Sequence, residues 1–174
     1  MVSNRGLGLA KCLGAARAGQ LFTGAMGGVL MTAFSSGGAQ IVDPSIFRVL
    51  VEMETRKAQR MRYVVSLVCV GIERAESAGE GLARRVAPGI RATDAVAMQT
   101  ADSMTMLLVD AEDTNLPTIM ERLRPGLDDV PWSAGGASYP KTAATADALF
   151  QQAETMMRRS RELGGRRLSL AAAA

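Results

Sequence analysis

Three residues of this chain have the types and spacing for ligand recognition. Arg91 and Asp94 stand at i and i+3 in "RATD", just before an apolar run, and Arg122 follows later in a Glu-Arg pair. A guanidinium is a planar fork of fixed donors, suited to the O6 and N7 edge of a guanine or to phosphate oxygens. A carboxylate accepts from the hydrogens on a guanine's N1 and N2. Arg and Asp three apart before a strand can face one ligand, and a cation on the next helix can reach across to it. The plainer alternative is an Arg91–Asp94 ion pair at a helix end, worth about 0–1 kcal/mol. A second polar group, Thr100-Ala101-Asp102-Ser103, lies between the apolar runs "AVAM" and "MTMLLV". That pattern predicts a β-hairpin with its turn at 100–103. Asp102 is the one acid in that turn, where a carboxylate is ordinarily just solvated.

Composition narrows the chemistry. There is no histidine, which removes the commonest neutral-pH acid–base group and the commonest metal ligand. Cys12 and Cys69 are too few and too far apart for a disulfide framework or a zinc knuckle. Cys69 lies in an apolar run and reads as a small core residue in a reduced compartment. The net charge of +3 comes entirely from residues 1–42, which hold Arg5, Lys11 and Arg17 and no acid. The remainder balances at 17 basic and 17 acidic residues, so nothing resembles the footprint of a nucleic-acid binder.

The elements that must position these residues begin at 43. Asp43-Pro44 is a helix start, an N-cap with Pro in the first turn. Ile46, Val49, Leu50, Met53 and Met61 keep helical spacing to about Arg62 and predict the buried face. "YVVSLVCVGI" (63–72) is almost continuously apolar and β-branched, which predicts a central strand covered on both sides. A short helix within 80–90 must stop at Pro88-Gly89. The hairpin follows, and then a helix capped by Thr114 or Asn115 that stops at Pro125-Gly126. "VPWSAGGASY" (130–139) reads as a strand loosened by its glycines. A long helix with Leu149, Phe150, Ala153, Met156, Met157 and Leu163 on one face ends at Gly164-Gly165, before a short strand at 167–170. The order is a helix, then β-α-β-β-α-β-α-β. Its center is a ferredoxin-like βαββαβ core, an α/β (α+β) fold with a mostly antiparallel sheet flanked by helices.

Residues 1–42 differ: basic, rich in Gly and Ala, and without acids. "LFTGAMGGVLMTAF" (21–34) is uncharged and apolar, but shorter than the roughly 20 residues needed to cross a bilayer. It fits a tail or an extension from an upstream start, and equally the apolar core of a targeting segment followed by "SSGGAQ". The expected division is therefore a tail or targeting segment (1–42), one domain (43–170) and a short C-terminal tail (171–174). The expected location is cytoplasmic, with membrane contact only through 21–34.

In order and residues, the chain resembles the GGDEF family, the diguanylate cyclases, as a degenerate member. The resemblance covers 43–170. It is carried by "IRATDAVAMQTADSMTMLLVDAEDTNLPTIMERLR", by "GGASYPKTAATADALFQQAETMMRRSRELGGRRL" with its Tyr-Pro bend, and by the entry "VDPSIFRVLVEMETRKAQRMRYVVSLVCVGIE". The resemblance implies a nucleotide-cyclase-like fold. By position, Thr100-Ala101-Asp102-Ser103-Met104 stands where the family has Gly-Gly-Asp/Glu-Glu-Phe. Thr100 and Ala101 replace glycines that let backbone approach nucleotide. Ser103 replaces the catalytic Glu and cannot ligate Mg²⁺ as a carboxylate does. Gly71 stands at the position of the metal-bearing Asp, and Glu73 at that of a second acid that is not the main ligand. The family's Phe-Lys and Asn-Asp segment is missing, with room only for "RAESAG". Arg161 can stand in for a phosphate-facing Lys, whereas the nearby Arg position is Gly165. The resemblance thus implies no cyclase reaction and no resident cofactor.

The family's inhibitory site for its product, cyclic di-GMP, is matched instead. Arg91-Ala92-Thr93-Asp94 has its Arg-x-x-Asp sequence, residues 95–99 supply its spacing from the signature turn, and Glu121-Arg122 matches its further Arg. The expected function is a catalytically inactive receptor for cyclic di-GMP through Arg91, Asp94 and Arg122, acting on an output partner the sequence does not identify. The alternative is a nucleotide-independent pseudo-enzyme that dimerises or docks proteins through the helix 44–62, as a homodimer or with a partner chain.

Overall fold

A computed structural model describes residues 38–73 and 79–173. The readings of residues 1–37 and of most of "RAESAG" lie outside them. Six strands form one sheet: β1 (Gln40–Ile41), β2 (Val65–Ile72), β3 (Ala95–Thr100), β4 (Ser103–Val109), β5 (Trp132–Tyr139) and β6 (Leu168–Leu170). Their spatial order is β1-β3-β4-β2-β5-β6. The three inner pairings are antiparallel and the two outer ones parallel. The helices are α1 (Pro44–Met61), α2 (Gly79–Val86), α3 (Leu116–Leu123) and α4 (Ala146–Glu162). The segment from β2 to β5 is the expected split βαββαβ core within a mixed six-stranded sheet.

Strand β2 is buried at all eight positions, as its unbroken apolar run requires. Alternate side chains serve two separate cores. Val68, Val70 and Ile72 meet Leu82, Val86, Leu116, Met120 and Leu123 of α2 and α3. Val65, Leu67 and Cys69 meet Phe47, Val51, Leu149, Ala153 and Met157 of α1 and α4. Phe47 is fully buried, edge-on to Phe150 with centroids 6.2 Å apart. Burial of a side chain that size is worth about 2–3 kcal/mol. Among the described residues no helix is long and apolar enough to cross a membrane.

Three expectations change. The buried face of α1 is Phe47, Val51, Thr55 and Ala58, not the stripe read from the sequence, of which Val49, Met53 and Met61 are exposed. Apolar residues cluster on more than one side of its first three turns, Phe47 and Val51 beside Ile46, Val49, Leu50 and Met53, so its period alone cannot say which side meets the sheet. The glycines of β5 admit a neighbour: a Cβ on Gly135 would lie 2.0 Å from the Met157 nitrogen and 2.2 Å from the Ala153 carbonyl oxygen of α4. No side chain caps α3, which is entered through a 3-10 turn at Asp113–Asn115. One element is additional. Gln40 and Ile41 pair with Ala95 and Val96, so the sheet begins just before the Asp43 helix start.

Candidate functional site

The hairpin β3–β4 carries both polar groups singled out in the sequence, one at each end. At one end the turn 100–103 is closed on itself. The Thr100 hydroxyl donates to Asp102 Oδ1 at 2.5 Å and lies 2.7 Å from Ser103 Oγ. The Asp102 carbonyl accepts from the Ile72 N–H at 2.8 Å, which ties the turn to the end of β2. Gly71 pairs directly with Ser103 across the sheet. A Cβ on Gly71 would lie 2.9 Å from Arg161 Nη2 and 2.9 Å from Met157 Sδ. Arg161 also reaches Glu73, with Nε 3.7 Å from Oε1. A divalent cation held as in phosphoryl transfer needs carboxylates here. A glycine and a hydroxyl meet at this register position, α4 side chains fill the space above Gly71, and Glu73 faces a guanidinium. These residues do not fit a magnesium site.

At the other end, Arg91, Asp94 and Arg122 line one hollow of about 280 Å³, together with Asp110, Asn115 and Thr118. The 3-10 turn Ala87–Gly89 buries Ile90 and delivers Arg91 to the surface. A turn follows, closed by the Asp94 N–H donating to the Arg91 carbonyl at 3.0 Å. Helix α3 supplies Thr118 and Arg122, which at i and i+4 share a face. Glu121 is turned toward Arg124, at 3.0 Å, so the Arg122 guanidinium has no carboxylate partner among the described residues. The Arg91 guanidinium likewise makes no ion pair among them, and the expected alternative of an Arg91–Asp94 salt bridge is not formed.

Asp94 has a partner of another kind. It is only 4 % exposed, and its Oδ1 accepts from the Val109 N–H at 3.0 Å and from Thr93 Oγ1 at 3.4 Å. Val109 ends β4, where the ladder to β3 has run out, so the carboxylate substitutes for a missing strand. Burial pushes the Asp94 carboxyl above the ordinary carboxylate range, partly offset by those hydrogen bonds and by Arg91. No local sequence pattern marks this depth. It also passed over Asp110, whose only signal is an acid directly after a strand end.

A second hollow of about 270 Å³ lies between α1 and α4, lined by Arg48, Gln99, Thr105, Phe150 and Glu154 among others. The Arg48 guanidinium stacks on Phe150, 5.1 Å from its centroid, and bonds Asp147 at 2.5 Å. Cys69 forms part of its floor. Burial holds that thiol up to about 11, so it is a protonated core residue and not a nucleophile.

No family profile matches the chain, and no curated protein matches it in sequence. Solved structures do match in shape. The GGDEF domain of YfiN (TpbB) from Pseudomonas aeruginosa superimposes with a TM-score of 0.67 at 18 % identity, over 76 % of this chain and 97 % of that one. The GGDEF domain of DgcB from Caulobacter crescentus, in complex with c-di-GMP, gives 0.65 at 13 % identity, over 82 % and 97 %. The active GGEEF domain of a diguanylate cyclase from Vibrio cholerae gives 0.66 at 10 % identity, over 76 % and 98 %.

Proposed function

With the fold of a GGDEF domain as the premise, we propose that this chain is a receptor for cyclic di-GMP that does not synthesise it. The observation that carries the proposal is the meeting of Arg91, Asp94 and Arg122 in one hollow, with neither guanidinium ion-paired among the described residues. Two forks converging on a surface hollow suit a dianionic ligand with guanine edges. The hollow is below the usual size of a pocket that engulfs its ligand, and suits one base with its adjoining phosphate. That a relative of the same fold, DgcB, was solved with c-di-GMP is in keeping with this ligand. Inactivity is supported by the pairing of Gly71 with Ser103, neither of which carries a carboxylate.

Calorimetric titration of the full chain tests the proposal. Wild type is expected to bind cyclic di-GMP with a Kd in the micromolar range or tighter, about −8 kcal/mol or better. Arg91→Ala and Arg122→Ala should each weaken binding by roughly 1.5–3 kcal/mol, the loss of a charged hydrogen bond. Incubation with GTP and Mg²⁺ should yield no cyclic di-GMP. Absence of binding by wild type, or release of product from GTP, would each overturn the part of the proposal it addresses.

A second reading has its own observation. Val49 and Met53 on the outer side of α1, and Met61 at its end, are exposed among the described residues. That stripe favours a dimerisation or docking role that needs no nucleotide. Sedimentation of the full chain, with and without Met53→Glu, separates the two readings, since nucleotide binding does not depend on this face.

A further inference from the structure

The following rests on the cyclic di-GMP reading and sharpens it. A guanine presents adjacent donors at N1 and N2, and a carboxylate takes both when both of its oxygens are free. Asp94 cannot do so. It is nearly buried, and its Oδ1 is committed to the Val109 N–H and the Thr93 hydroxyl. At most one of its oxygens is left for a ligand.

The residue just past the end of β4 offers what Asp94 lacks. Asp110 lines the same hollow, is exposed, and its carboxylate makes no hydrogen bond or ion pair among the described residues. Its backbone is fixed all the same. The Asp110 N–H donates to the Val64 carbonyl at 2.8 Å, and φ is 54°. That left-handed conformation is one that Asp, Asn and Gly tolerate and most residues avoid. A carboxylate without a partner among the described residues, on a held backbone in the same hollow as two guanidinium groups, is arranged in advance for a ligand with paired donors.

We propose that Asp110 is the guanine-reading acid of this hollow, taking the N1 and N2 hydrogens of one base. Asp94 then acts as a positioning residue that holds the Arg91 turn against the end of β4. Two arginines and two aspartates leave the hollow with no net formal charge, so charge alone does not select the ligand. The acid selects. Adenine presents a lone pair at N1 where guanine presents a hydrogen, and a carboxylate repels it. Cyclic di-GMP is therefore preferred over cyclic di-AMP, and Asp110 carries that preference.

The test is calorimetric titration of the full-length chain with both dinucleotides, for wild type, Asp110→Asn and Asp110→Gly. Both substitutions accept the backbone angle, and thermal melting confirms that they fold. Wild type should prefer cyclic di-GMP by at least about tenfold, the weight of a paired set of base-edge bonds. Each variant should bind cyclic di-GMP about tenfold or more weakly, with the ratio to cyclic di-AMP falling toward one. Unchanged affinity and ratio in both variants would overturn the role of Asp110 while leaving the receptor reading intact. If wild type binds neither dinucleotide, the receptor reading itself falls, and this inference with it.

Discussion

Gly135→Ala should cost about 3 kcal/mol of stability, at the upper end of what overpacking does. Helix α4 lies directly on the backbone of β5. The added methyl would meet the Met157 nitrogen and the Ala153 carbonyl oxygen at 2.0 and 2.2 Å, and the Met156 carbonyl carbon at 2.5 Å. These are backbone atoms of one helix, so no rotamer change relieves the contact. Either α4 lifts from the sheet, or β5 shifts and strains its pairing with β2, where Gly135 faces Cys69. Lifting α4 would also loosen Leu149, Ala153 and Met157 from the second core. Urea denaturation measures the cost. Gly81→Ala is the control: a Cβ there meets nothing within 4 Å, and the position is helical, so it should be neutral or gain up to about 1 kcal/mol. A Gly135→Ala loss below about 1 kcal/mol would show that the helix is not held where the close approach places it.

This glycine illustrates what sequence patterns convey and what they do not. "SAGGAS" inside a strand reads as weakness, because glycine contributes no side chain to a sheet. Its reason lies in a helix that follows β5 in the chain and packs back over it. The strand Val65–Ile72 was legible because continuous apolar, β-branched residues have one stable setting, the middle of a covered sheet. The buried face of α1 was not, since Phe47 and Val51 share their helix with Ile46, Val49 and Met53, and only the sheet chooses between them. Gln40–Ile41 is too short to have a period, and is a strand only because β3 lies beside it.

The candidate site divides in the same way. That Arg91, Asp94 and Arg122 are of the right types and in the right order is a property of the sequence, as is the absence of acids at Gly71 and Ser103. That Asp94 is sunk against the end of β4, with Asp110 left free beside it, depends on how the hairpin ladder ends. No local pattern records that.

On the receptor reading Asp94 serves two purposes, and substitution should separate them. Its structural task is to accept from the Val109 N–H, which an amide oxygen does as well as a carboxylate. Charge is a cost in that task, because burial raises the Asp94 pKa in the folded chain above its unfolded value. The folded state then holds the proton more tightly than the unfolded state does. Stability from this group is thus greatest below the ordinary carboxylate range and falls as pH rises through the window up to the raised value. The penalty is complete once the pH has passed the raised value. Asp94→Asn should therefore be more stable than wild type at neutral pH, with the gap closing as pH falls toward about 4. Asp94→Ala should instead lose about 1 kcal/mol, since the Val109 N–H is left without its acceptor. Both should weaken cyclic di-GMP by roughly 1.5–3 kcal/mol, because the hollow loses the negative charge that acts on Arg91, together with any charged bond to the ligand. Stability curves across pH, paired with titrations on the same three proteins, read both effects. An Asp94→Asn protein that is more stable yet binds as wild type does would make the charge dispensable. On the receptor reading, a carboxylate is kept where an amide would hold the fold as well because of what it does for the ligand.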